Sequence, residues 1–229
     1  MINVAWQRFA RSAKQVLKKV HNPLGEEERT LFSFGSAADL QRWNVFSDSQ
    51  QGGNSTAALI PSAEHTGTAS FEGDFSAELC QEAKEAKRGI QRSGFAGMHS
   101  LEGDYLDLEE RDVLVLRVRG DGRKYLVSLR TDNWVAGVTS HDVWQAFLFA
   151  PPGRWEEVQV PLSRFLLTWK GRLVEERSAM NPERVVSLGI GLAGGPSLQA
   201  PGRFFLGLDW VKAVRMSGGL EPRDRSGWF

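Results

Sequence analysis

The chain has a single cysteine, Cys80, in 229 residues, which excludes an internal disulfide and fits a reducing compartment. Its four histidines, His21, His65, His99 and His141, are scattered, and no Cys or His pair has the spacing of a zinc site. No stretch approaches the roughly 20 consecutive apolar residues that a bilayer span requires. Net charge is missing as well, since 28 Lys and Arg balance 28 Asp and Glu. A phosphate-binding surface normally leaves a basic excess, so no nucleic acid is expected as partner. Helical periodicity is scarce after the first 25 residues, and no internal repeat is visible.

The charge balance conceals an asymmetry. Residues 1–25 carry Arg8, Arg11, Lys14, Lys18 and Lys19 and no acid, which leaves 23 basic against 28 acidic residues downstream. At about 100° per residue, Ile2, Trp6, Phe9, Ala13, Val16, Leu17 and Val20 share one arc and the basic residues lie opposite. This predicts a basic amphipathic helix, ended by Asn22, Pro23 and Gly25. Trp6, Phe9, Val16 and Leu17 with Arg8, Arg11, Lys14 and Lys18 are the candidate targeting or membrane-surface residues. Arg8 and Arg11 break the uninterrupted apolar core of a secretory signal, whereas a mitochondrial or chloroplast transit peptide has this composition. A retained helix lying in an anionic membrane surface, or one packed on the domain, has the same pattern.

Residues 30–215 read as one β-sandwich domain, with 216–229 a C-terminal tail. Strands are expected at 31–34, 43–46, 56–60, 69–75, 94–99, 113–119, 124–131, 143–149, 156–160, 185–192 and 203–214, and a charged insertion with a short helix at 77–92. Asp121-Gly122 predicts a two-residue type I′ hairpin. That register pairs Val118 with Tyr125, Leu116 with Val127 and Leu114 with Leu129 on a core face, and sets Arg117, Arg119, Lys124 and Arg130 on the other. Arg119 beside Lys124 then needs a neighbouring acid, a partner surface or an anionic ligand. Arg117, Arg119, Arg123, Lys124 and Trp134 form the candidate interaction face. Trp144, Trp155 and Trp169 are further aromatic candidates, and at least two of these four tryptophans are expected in the core.

Other matches carry little chemistry. Gly189-Ile-Gly191-Leu-Ala-Gly194 has the spacing of a dinucleotide fingerprint, but Pro196 and Pro201 fall where its phosphate-binding helix must begin. Asn54-Ser55-Thr56 is a glycosylation sequon read here as a turn cap. The acidic runs at 26–28 and 109–110 are solvent-facing charge, and no carboxylate pair stands out as an acid–base couple. No catalytic residue, metal site or cofactor is expected.

Six blocks in order carry a family resemblance: residues 43–55 (WNVFSDSQQGGNS), 69–73 (ASFEG), 92–97 (RSGFAG), 116–125 (LRVRGDGRKY), 155–165 (WEEVQVPLSRF) and 187–191 (SLGIG). Together they resemble the complex I intermediate-associated protein family across residues 30–215. The resemblance implies a galactose-binding-like jelly-roll β-sandwich and a non-catalytic assembly factor, or chaperone, for mitochondrial respiratory complex I. Its partners would be membrane-arm subunits and other assembly factors at the matrix side of the inner membrane. A carbohydrate-binding module and a chloroplast factor for photosynthetic-complex biogenesis are the alternatives, the former by fold analogy.

Overall fold

The computed structural model describes residues 10–12, 28–86, 93–132, 141–175, 179–194 and 199–216. Two antiparallel sheets enclose one apolar core. In the first, β3 (Ala58–Pro61), β4 (Ala69–Phe75), β13 (Gly202–Val214), β6 (Val113–Arg119) and β9 (Trp155–Pro161) lie side by side, and β1 (Glu28–Ser33) follows β4 along the same side of the long strand β13. In the second the order is β11 (Arg172–Leu173), β10 (Leu166–Trp169), β8 (Asp142–Phe149), β7 (Lys124–Thr131), β12 (Val185–Ala193), β5 (Phe95–Ser100) and β2 (Trp43–Ser47).

Alternation decides which side chains fill the interior. Leu114, Leu116 and Val118 of β6, with Leu206, Leu208 and Val211 of β13, meet Tyr125, Val127 and Leu129 of β7 and Leu188, Ile190 and Leu192 of β12 in one buried cluster. Two short helices lie outside it, α1 (Ala37–Leu40) and α2 (Gln81–Ala86). Ser36 caps α1 through the Asp39 amide, and the Asp39 carboxylate accepts from the Ser36 amide at 3.0 Å, a reciprocal capping box. Among the described residues no helix is long and apolar enough to cross a membrane.

The fold corrects the expected hairpin. β6 and β7 belong to different sheets, β6 pairing with β13 and β9 and β7 with β8 and β12. The segment around Asp121-Gly122 is therefore an arch over the end of the sandwich. A type I′ turn needs positive φ at both central residues; Gly122 has φ of 86°, whereas Asp121 is not among the positive-φ residues. Asp121 serves the arch differently, accepting from the Arg123 amide and the Phe205 amide, each at 2.9 Å. The inward assignment of Leu114, Leu116, Val118, Tyr125, Val127 and Leu129 holds because an arch and a hairpin give the same parity. Leu116→Ala is accordingly expected to cost about 2–5 kcal/mol, measured as a lower urea midpoint. Gly122→Val should cost about 1–2 kcal/mol from backbone strain.

A type I′ geometry does occur, at Lys170-Gly171, with φ of 51° and 77°, where it joins β10 to β11. Neither strand was expected from the sequence. Elsewhere strand ends move by at most two residues, except that β1 begins three residues early, at Glu28. Within the expected 77–92 insertion, α2 is helical and residues 87–92 lie outside the described residues.

Candidate functional site: the outer face of the second sheet

The expected arginine face is divided by the fold. Arg117 and Arg119 lie on the outer face of the first sheet, each with acids: Arg117 Nε is 3.1 Å from Asp209 and its Nη1 3.8 Å from Glu157, and Arg119 Nη1 is 2.6 Å from Glu64. The Arg119 hydrogen bond holds the Glu64 carboxyl below its usual range. Arg119 also lies over the Phe205 ring at 5.6 Å, and Trp155 meets His65 edge-on beside it. Of the three ways to offset Arg119, a neighbouring acid is the one present. Arg123 turns into the arch, donating to the carbonyls of Ala200, Gly202 and Arg203 and pairing with Asp121. Lys124 alone of this set lies on the second sheet, opposite Phe149. Trp134 lies outside the described residues. Trp144 is in the core, its indole N–H donating to Thr131 Oγ1 at 3.1 Å, while Trp169 is 59% exposed.

Of the candidate targeting or membrane-surface residues only Arg11 falls within the described residues; Trp6, Arg8, Phe9, Lys14, Val16, Leu17 and Lys18 lie outside them. Residues 10–12 form a helical turn, and Arg11 sits 3.5 Å from the buried Asp132 carboxylate and 3.7 Å from Glu102. His141 bridges the same two acids, and the Tyr105 hydroxyl donates to Asp132 at 2.8 Å. Burial, then the Asp132 carboxylate, pushes the Tyr105 phenol above its usual range. At this point the leader is packed on the sandwich.

The outer face of the second sheet has a different chemistry. Register aligns Phe147, Leu126, Gly191, Gly97 and Phe46 in one row across five strands, and Gln145, Ser128, Gly189, His99 and Asn44 in the next. A Cβ on Gly97 would stand 2.6 Å from the Phe46 ring, so glycine there lets that ring lie flat across the sheet. Phe46 then gathers His99 at 5.8 Å and Phe95 at 6.3 Å. At the other end Phe147 and Phe149 lie 6.0 Å apart and are 51% and 57% exposed. Between the aromatic groups Gly97 and Gly189 are buried, Gly97 under the Phe46 ring and Gly189 against the Ser128 hydroxyl. Gly189 and Gly191 are thus strand residues inside β12, which is the structural use of the apparent dinucleotide fingerprint. Among the described residues no group of three His, Cys, Asp or Glu is placed to hold a metal ion.

A two-sheet antiparallel sandwich of this strand order is a jelly-roll β-sandwich in architecture. Solved structures agree on the fold: the chain is similar to a family 11 carbohydrate-binding module of a Clostridium thermocellum cellulosomal cellulase, with TM-score 0.59 and 12% identity over 86% of this chain and 99% of that one. A second structure of the Clostridium thermocellum family 11 module, in complex with a β-1,3-1,4-mixed-linked tetrasaccharide, aligns with TM-score 0.56 and 13% identity, covering 82% of this chain and 95% of that one. Sequence places the chain more narrowly. Residues 32–208 match the family model described as complex I intermediate-associated protein 30, and the chain belongs to that family. It is 31% identical over 196 residues to the mitochondrial complex I intermediate-associated protein 30 of Drosophila melanogaster, covering 81% of this chain and 62% of that protein. The Mus musculus protein of the same name is 27% identical over 90% of this chain and 65% of its own length. The chain thus spans less than two thirds of these relatives.

Proposed function

We propose that the chain is a non-catalytic assembly factor for mitochondrial complex I, holding a membrane-arm intermediate at the matrix side of the inner membrane together with other assembly factors. Family membership across the sandwich supports the process, and the observation that carries the mode of action is the solvent-exposed Phe147–Phe149 pair. Large aromatic side chains left in water are what a protein interface buries at its centre. In this proposal residues 1–25 direct the chain to the organelle or hold it at the membrane surface, and residues 30–215 form the working domain. Purification of the chain from crosslinked membranes of its own cells should recover membrane-arm subunits of complex I. Recovery of photosynthetic subunits instead, or saturable binding on a glycan array with no complex I subunit recovered, would replace this proposal with the corresponding alternative.

A further inference from the structure

The exposed apolar side chains continue past the aromatic pair onto the edge of the second sheet. Leu166, Trp169 and Leu173 are 54%, 59% and 60% exposed, and all three lie on the β10–β11 hairpin. Strand parity puts Leu166 and Leu173 on the outer face and Trp169 with Arg172 on the opposite one. The hairpin therefore offers apolar surface to solvent on both sides. Between Glu157 and Glu175 the chain carries Arg164, Lys170 and Arg172 and no acid. Lys170 lies 5.5 Å from the Trp169 ring, and neither Lys170 nor Arg172 pairs with a carboxylate among the described residues.

We propose that this hairpin docks the sandwich onto an anionic lipid surface. Trp169 and Leu173 enter the boundary between headgroups and acyl chains, where indole rings are favoured, while Arg164, Lys170 and Arg172 meet lipid phosphates. Charge complementarity favours this occupant: Lys170 and Arg172 are the charges between the exposed Trp169 and Leu173, ahead of Glu175 at the base of the hairpin, and an anionic bilayer supplies both the negative charge and the apolar interior. Strand addition by a protein partner has little to build on, because β11 is two residues long and the Val174 amide beyond it already donates to the Leu167 carbonyl at 3.0 Å. The hairpin is separate in sequence from the leader, so the two give the chain two weak attachments whose combination is stable where either alone is reversible. The biological use rests on the membrane-side placement proposed above; the contact itself is tested on lipid alone.

The test uses the full chain carrying Cys80→Ser and Leu173→Cys, labelled at residue 173 with a polarity-sensitive fluorophore. Phosphatidylcholine vesicles containing phosphatidylglycerol should shift the probe to the blue, and phosphatidylcholine alone should not. Unlabelled Lys170→Gln/Arg172→Gln should float with the anionic vesicles about thirtyfold less well, and Trp169→Ser/Leu173→Ser should lose a comparable amount. Unfolding midpoints equal to the parent's would show that both double variants remain folded. A probe that stays in water while the chain floats assigns binding to the leader and overturns the proposal. Flotation of both variants at the parent's level, with recovery of membrane-arm subunits lost, overturns it in favour of a protein-binding hairpin. Loss of flotation with subunit recovery unchanged supports the lipid contact and leaves the assembly role standing.

Discussion

Asp48→Ala is expected to lower stability by about 3–5 kcal/mol, the scale of leaving several buried hydrogen-bond donors without an acceptor. Asp48 is fully buried at the end of β2. Its Oδ1 accepts from the Ser55 amide at 2.7 Å, and its Oδ2 accepts from the Ser55 hydroxyl at 2.9 Å and the Gly94 amide at 2.6 Å. Ser55 passes the connection on, since its hydroxyl oxygen accepts from the Ser76 amide at 3.0 Å. One carboxylate thus joins the loop after β2, the end of β4 and the start of β5. Alanine leaves these donors buried and unpaired, each costing about 1–3 kcal/mol. For a chain of this size the melting temperature should fall by on the order of 10 °C. Ser55→Ala should cost less, and the double variant less than the sum, because both act on one network. Equal melting temperatures for parent and Asp48→Ala would show that the network adds nothing to the fold.

Legibility followed the range of the physics involved. β4, β6 and β7 are readable to the residue because alternation within one strand is a local signal: Ala69–Phe75 and Lys124–Thr131 carry it, and Val113–Arg119 shows it from Leu116 onward after an unbroken apolar start. The partner of a strand is another matter. Asp-Gly between alternating strands is the local mark of a hairpin, yet an arch between sheets requires the same inward parity and leaves the same pattern. A usable sign was Gly120, where a Cβ would stand 2.3 Å from the Ala150 carbonyl oxygen, a contact with β8's end that a free hairpin does not make. β10 and β11 escaped because Leu166-Leu-Thr-Trp169 does not alternate and β11 is two residues long. The bond of Asp48 to Gly94 joins residues 46 apart in sequence, beyond the reach of any local pattern.

The proposed binding face was hidden for a related reason. β8 reads Asp-Val-Trp-Gln-Ala-Phe-Leu-Phe, apolar on both parities toward its C-terminal end, so alternation cannot say whether Trp144, Ala146 and Leu148 or Phe147 and Phe149 face the core. Only its place between β7 and β10 decides it. The arginines drew attention instead because charge is conspicuous in a sequence, whereas the acids that neutralise Arg117 and Arg119 come from Glu64, Glu157 and Asp209 on distant segments.

That contrast yields the second large effect. In cells whose own copy of this chain is removed, Phe147→Ser/Phe149→Ser should fail to restore complex I, read as the assembled enzyme on native gels, while Arg119→Gln should restore it. Both phenylalanines are more than half exposed, so their replacement costs the fold little, within about 0.5 kcal/mol. At the centre of an interface each is worth about 2 kcal/mol or more, roughly a thirtyfold loss of association per residue. Arg119 makes its contacts to Glu64 and Phe205 within the chain, and an exposed pair of this kind contributes at most about 1 kcal/mol. The two variants thus separate the outer faces of the two sheets without disturbing the core between them. Normal complex I in the phenylalanine variant, at parental protein level, would remove the second sheet's face from the mechanism. Loss in the arginine variant alone would return the interaction to the first sheet, where Trp155, His65 and Phe205 surround Arg119.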